Sequence, residues 1–313
     1  MTELVRHTAP PTEWGVTIDD EAVARFADAW QPLPEASFDY DGFPTGLGHE
    51  EWIDFIVLAV SCLACLWPPE GEQMWSTGFD GRQLDDAPGF FAAFTKERAR
   101  NGLDFATVAR WSRADVERLF DGEGVLQLIA ERHAQLVAVA EAAIGRWGGS
   151  FANLVAEAAN DGPTIARLLV ETVPGYHDEV EADVGTLRFW KLAHLATVML
   201  AGERGPTLVG LDTFPVYPDY MVPRTLRHHG VLVYAGDLAD AVDTRTPIAA
   251  RGQWELAIRW ASMHAAERVL AALNERGHGI AMPTLDYWLW HAAVLGPLAD
   301  AMGEHHRTIT MAY

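Results

Sequence analysis

Cysteine is scarce: the 313 residues contain two, Cys62 and Cys65, too few for a disulfide framework. Positive charge is scarce as well. Lys and Arg number 23 against 44 Asp and Glu, a formal net charge of −21, and no run of basic residues overrides it. Such a surface repels phosphate backbones and anionic membranes, so neither a nucleic-acid polymer nor a membrane is an expected partner. A mononucleotide needs only one or two cations and stays open. Long apolar runs are missing too. The most apolar stretch, Phe55 to Trp67, is too short to span a bilayer and reads as a helix buried on all sides. Met1 to Pro11 has no signal-peptide core, and a cytoplasmic location is the expectation. The motifs HExxH, GxSxG and GxxxxGK[ST] are absent, which removes the commonest zinc-protease, serine-hydrolase and phosphate-loop chemistries. No metal or other cofactor is expected, and nothing in the sequence assigns an oligomeric state. Internal repeats and low-complexity linkers are also absent.

What is present is a globular composition, 49% hydrophobic and 10% aromatic. Residues 1–17 read as an arm, loose through Gly15. A helix over Ile18–Trp30 follows, with Asp19 and Asp20 at its start and Val23, Phe26, Ala27 and Trp30 on one side. Pro32, Pro34 and Pro44 then make a loop up to His49. Asp80-Gly81, between alternating residues of Trp75 to Leu84, predicts a small hairpin as the only β structure. From Pro88 onward the period is helical: Phe90–Arg100, Arg113–Phe120, Val125–Trp147, Phe151–Ala159, Pro163–Val173, Leu187–Ala201, Gln253–Glu275 and Thr284–Leu295. The expected fold class is mainly α: a single compact helical domain over residues 18–313 with at most a small hairpin.

Chemistry concentrates in few places. Pro215, Pro218 and Pro223 each remove an amide donor and push the preceding residue out of the α region, so Asp219 is expected in a rigid, non-helical loop. A short helix then runs from Pro223 to a left-handed stop at Gly230. Asp219 either caps that helix or is presented for catalysis. Asp286, just after Pro283, either caps an aromatic helix or, beside Tyr287, Trp288 and Trp290, holds the donor edge of a purine-like base. Lys191 and Arg259 are cations in apolar helical stretches; each either snorkels to the surface or builds an anion site. Cys62-x-x-Cys65 lies in the apolar helix and reads as core packing. The pairs His228-His229 and His305-His306 diverge on a helix and make no metal spacing.

The segment YPDYMVPRTLRHHGVLVY, residues 217–234, resembles a segment of the queuosine salvage protein family, in which Phe-Ala-Asp-Tyr-Arg-Val-Pro precedes a leucine-rich turn and Gly. Other segments agree in order: RWGGSFANLVAEA from Arg146, LRFWKLAH from Leu187, WELAIRW from Trp254, LDYWLW from Leu285 and the C-terminal HHRTITMAY. The resemblance covers about Ile18 to Tyr313. It implies hydrolysis of the bond between ribose and queuine in queuosine 5′-monophosphate, and a helical fold related in outline to helix-hairpin-helix DNA glycosylases. It also implies Asp219 as the catalytic carboxylate at the anomeric carbon, Asp286, Tyr220, Trp288 and Trp67 against the substrate, and Lys191 and Arg259 as phosphate cations. Met221, Leu192, His194, Val60 and Leu63 depart from the family pattern, so the reaction class is implied more firmly than the base. A glycosidase of another 7-deazapurine nucleotide or nucleoside, or a nucleotide-binding relative without turnover, is the alternative.

Overall fold

Helices follow wherever an apolar face is bounded by a cap and a stop. The computed structural model describes residues 9–33, 41–202 and 204–313. Among them are thirteen α-helices and three two-stranded antiparallel sheets. The mainly helical expectation holds, but the β content is larger than expected. The predicted hairpin is present as Ser76–Phe79 with Arg82–Asp85, turning at Asp80 and Gly81, both at positive φ. Glu179–Ala182 also pairs with Gly185–Arg188, and Val16–Ile18 with Leu232–Tyr234. Of the predicted N-terminal arm, residues 1–8 lie outside the described residues, as do residues 34–40 of the predicted proline loop.

The chain forms two compact units. One comprises residues 9–33 with Asp178–Lys191 and Leu211–Thr310. Here Asp19 accepts the amide of Ala22 at 2.9 Å and starts the Asp20–Ala29 helix. The sequence placed Ile18 in this helix; it ends a strand instead. Val23, Phe26 and Ala27 pack towards the Gln253–Glu275 helix, whose Leu256, Ala257, Ile258, Trp260 and Ala261 are buried on several sides. Trp14, in the stretch read as loose, sits edge-on to Trp260 with ring centroids 5.9 Å apart.

Two boundaries in this unit correct the sequence reading. The short helix begins at Met221 rather than Pro223 and ends in the left-handed Gly230, whose φ is 74°. Pro223 is its third residue, where the missing amide would have had no helical partner. Val222, though followed by a proline, is held in the helix by Asp219, which accepts its amide. The expected Leu187–Ala201 helix starts only at Lys191, because Gly185–Arg188 is a strand and Trp190 breaks the chain at φ 53°.

The other unit comprises residues 41–177, Leu192–Gly210 and Met311–Tyr313. Its apolar helix runs from His49 to Val60 and stops seven residues short of Trp67. The cause is Arg132, fully buried, which donates to the carbonyls of Cys62, Ala64 and Cys65 and so satisfies a turn that the helix would have bypassed. Cys62 and Cys65 lie in this turn rather than in the helix. Both are buried, and burial pushes the Cys62 thiol up to about 12, as core packing requires. Phe90, Phe91 and Phe94 supply the centre of this core. Gly148, left-handed at φ 62°, ends the Ile129–Trp147 helix, and the next helix, Ala152–Glu157, is held by Asp54, which accepts the Phe151 amide at 2.7 Å.

No described helix is long and apolar enough to cross a membrane.

Candidate active site

The stretch from Phe214 to Tyr220 is buried but for Asp219, and it is extended rather than regular. Two of its residues are prolines and carry no amide donor. The Tyr217 amide donates to Asp286 Oδ1 at 2.7 Å. The Pro218 carbonyl accepts from Arg259 Nε at 3.0 Å. Asp219 Oδ1 accepts the amides of Met221 and Val222 at 2.8 and 3.0 Å, which is the capping geometry. The Tyr220 hydroxyl donates to the Thr308 carbonyl, and its ring faces His305 and His306. Asp219 is thus a cap through one oxygen only. Its Oδ2 makes no hydrogen bond among the described residues, and the residue is half-buried.

Asp286 is no cap. It lies in the second turn of the Met282–Val294 helix and is 4% exposed. Burial raises its pKa well above the carboxylate range, the Tyr217 amide lowers it, the neighbouring Asp219 charge raises it, and Lys191 lowers it. Burial outweighs the rest and holds the carboxyl proton well above the usual carboxylate range. Because Asp219 and Lys191 both act on it, these three groups share one neighbourhood. Of the two carboxyl groups, Asp286 is buried and Asp219 is half-buried with Oδ1 alone engaged by backbone amides.

Arg259 is placed differently from a phosphate cation. Its guanidinium is 1% exposed and lies 4.0 Å from the Phe189 ring centroid. Nη1 and Nη2 grip the two oxygens of Asp178 at 3.1 and 2.5 Å, and Nη1 also meets Glu255 Oε1 at 3.3 Å. Two carboxylates and a carbonyl already hold it. Lys191, 6% exposed, remains as the cation beside Asp286. Trp288 turns away from Asp286 on its helix: its indole donates to Gln31 O at 2.8 Å and its ring meets Phe26 and Trp30. Tyr287 and Trp290, in mutual contact at 5.8 Å, are the helix's other aromatics, and Trp290 is one turn on from Asp286. Trp67 belongs to the other unit, where its carbonyl accepts from Gln127 at 2.7 Å. His305 and His306 are buried, and burial pushes His305 down to about 3 and holds His306 well below the usual imidazole range. Among the described residues no three His, Cys, Asp or Glu side chains converge as metal ligands would.

Residues 45–313 match the family model described as queuosine salvage protein. The chain belongs to the queuosine salvage protein family. Similar proteins include one from Sphaerobacter thermophilus, 28% identical over 309 residues, covering 95% of this chain and 93% of its own. One from Mus musculus is 27% identical over 200 residues, covering 60% and 59%. One from Bos taurus is 21% identical over 309 residues, covering 89% and 88%. Each is named queuosine 5′-phosphate N-glycosylase/hydrolase.

In this member of the queuosine salvage family, sequence reasoning passed over Tyr217, Asp178 and Glu255. Glu255 precedes Arg259 by four residues, a spacing that pairs side chains on a helix and could have flagged it. Asp178 reaches Arg259 across 81 positions, and no local pattern announces it.

Proposed function

We propose that this protein hydrolyses the N-glycosidic bond of queuosine 5′-monophosphate and releases queuine. Membership of the queuosine salvage family supports the reaction, and the occurrence together of a half-buried Asp219 and a buried Asp286, whose proton is held well above the usual carboxylate range, is the observation that carries it. Breaking the bond between C1′ and the base leaves positive charge on the sugar and negative charge on the base. Asp219, through Oδ2, faces the first and either stabilises it or orients the attacking water. Queuine is a 7-deazaguanine and lacks the nitrogen that a purine offers for protonation, so the leaving base is stabilised at its guanine edge. In this reading Asp286, whose raised pKa favours the acid form, donates there. Water adds to C1′, the bond to the base breaks, and the base leaves with a proton.

Lys191 is the cation we assign to the 5′-phosphate. Arg259, its donors taken, and Tyr220, its hydroxyl given to Thr308, support the loop rather than touch the substrate. Tyr287 and Trp290 are better placed than Trp288 to lie against a base held by Asp286. Trp67 stays a substrate contact by family resemblance alone. The outline shared with helix-hairpin-helix DNA glycosylases belongs to the same proposal, supported by the predominance of helix. So does action in the cytoplasm as one domain over residues 18–313.

The test is a substrate panel. The protein, with no metal added, is incubated with queuosine 5′-monophosphate, queuosine and GMP, and products are followed by chromatography with mass detection. Queuine from the monophosphate with GMP intact is the expected result. Cleavage of GMP at an equal rate would move the assignment to a general nucleotide glycosidase.

A further inference from the structure

Pro218 O belongs to the peptide bond that enters Asp219, so the hydrogen bond from Arg259 Nε fixes the plane from which the Asp219 side chain springs. On the far side, the amides of Met221 and Val222 hold Oδ1. The direction of Oδ2 therefore depends on where the Arg259 fork lies. That fork is set by Asp178, which takes both terminal nitrogens. Asp178 is itself anchored: its carbonyl accepts the Phe189 amide at 3.1 Å, and Phe189 lies against the guanidinium. The paired strands Glu179–Ala182 and Gly185–Arg188 thus present an acceptor and an aromatic face together. Glu255 adds one longer bond, while its Oε2 takes the Arg251 amide. Buried ion clusters of this kind add little stability over apolar packing of the same volume, so their specific geometry calls for another use.

We infer that Asp178, acting through Arg259, is a positioning residue that aims Asp219 at the anomeric carbon. This rests on the reading of Asp219 given above. The test uses Asp178→Asn, Glu255→Gln, Asp219→Asn and the Asp178→Asn/Asp219→Asn double variant, with queuosine 5′-monophosphate as substrate and circular dichroism to establish folding. Asp178→Asn is expected to lower kcat by about 10- to 100-fold, with KM changed by less than about 3-fold. Glu255→Gln is expected to lower it by less than about 5-fold. Asp178→Asn should add less than about 3-fold to the loss in Asp219→Asn, because a group that acts only through Asp219 has nothing left to aim. A structural role would instead multiply the two losses and move KM as well. If Asp178→Asn does not fold, Asp178→Glu keeps the charge, displaces the fork by about 1.5 Å and is judged by the same kcat and KM criteria. Wild-type kcat in a folded Asp178 variant, with Asp219→Asn inactive, overturns the positioning role alone. Wild-type turnover by Asp219→Asn overturns the reading of Asp219, and this inference with it.

Discussion

Asp286 and Lys191 carry the predictions at the scale of the residue. Burial outweighs the Tyr217 amide and Lys191 and raises the Asp286 pKa well above the carboxylate range, and in the proposed reaction its useful form is the acid. Activity should then fall as pH rises through its raised value, since deprotonation removes the donor to the leaving base. Asp286→Asn keeps an acceptor for the Tyr217 amide but cannot give up a proton. Its kcat should drop by about 100-fold and its pH–rate profile should lose the alkaline decline; an alkaline limb that persists in the variant would assign it to another group. Lys191→Ala should raise KM for queuosine 5′-monophosphate by about 10- to 100-fold, the worth of a charged hydrogen bond, and change that for queuosine by less than about 3-fold. Equal effects on both substrates would remove the phosphate from Lys191.

Among the elements, the join between the His49–Val60 helix and the Ala152–Glu157 helix rests on one carboxyl. Asp54 accepts from the Phe151 amide and the Ser150 hydroxyl, yet desolvation outweighs both and raises it from 3.8 to about 6. An acid raised in the folded state stabilises fully below its unfolded value, and that contribution is lost as pH rises through the folded one. Thermal stability of the wild type should therefore decline relative to Asp54→Asn between about pH 4 and pH 7. Melting curves for both proteins across that range check it, and parallel curves would contradict it. Element boundaries also mark where the sequence was legible. Gly230 is left-handed just past the Met221–His228 helix, where its lack of a Cβ said the stop would be. The stop at Val60 was invisible because it is imposed by Arg132, 70 positions away from the Cys62 carbonyl it holds. The Lys191 boundary was hidden in the same way, since Leu187 fits a helical period equally well until Val180 pairs with it.

For the whole molecule, scarcity of cysteine and basic residues narrowed the function before any motif was considered, and the ordered family segments supplied the reaction. The site was legible where local backbone chemistry dictates it: Pro215 and Pro218 foretold a non-helical stretch leading to Asp219, and it is present, whereas Pro223 lies inside the helix that follows. It was illegible where distant residues decide. Arg259 reads as a lone cation in an apolar helix until Asp178 is seen to hold it, and Trp288 reads as part of the Asp286 group until the helix turns it towards Phe26. The central claim is that Asp219 of this chain drives cleavage of a queuosine nucleotide. Its most direct test is turnover of queuosine 5′-monophosphate by the wild type and by Asp219→Asn, each shown to be folded. The account predicts queuine release by the wild type and a rate at least about 100-fold lower in the variant. Equal rates in the two proteins, or no release by the wild type, would contradict it.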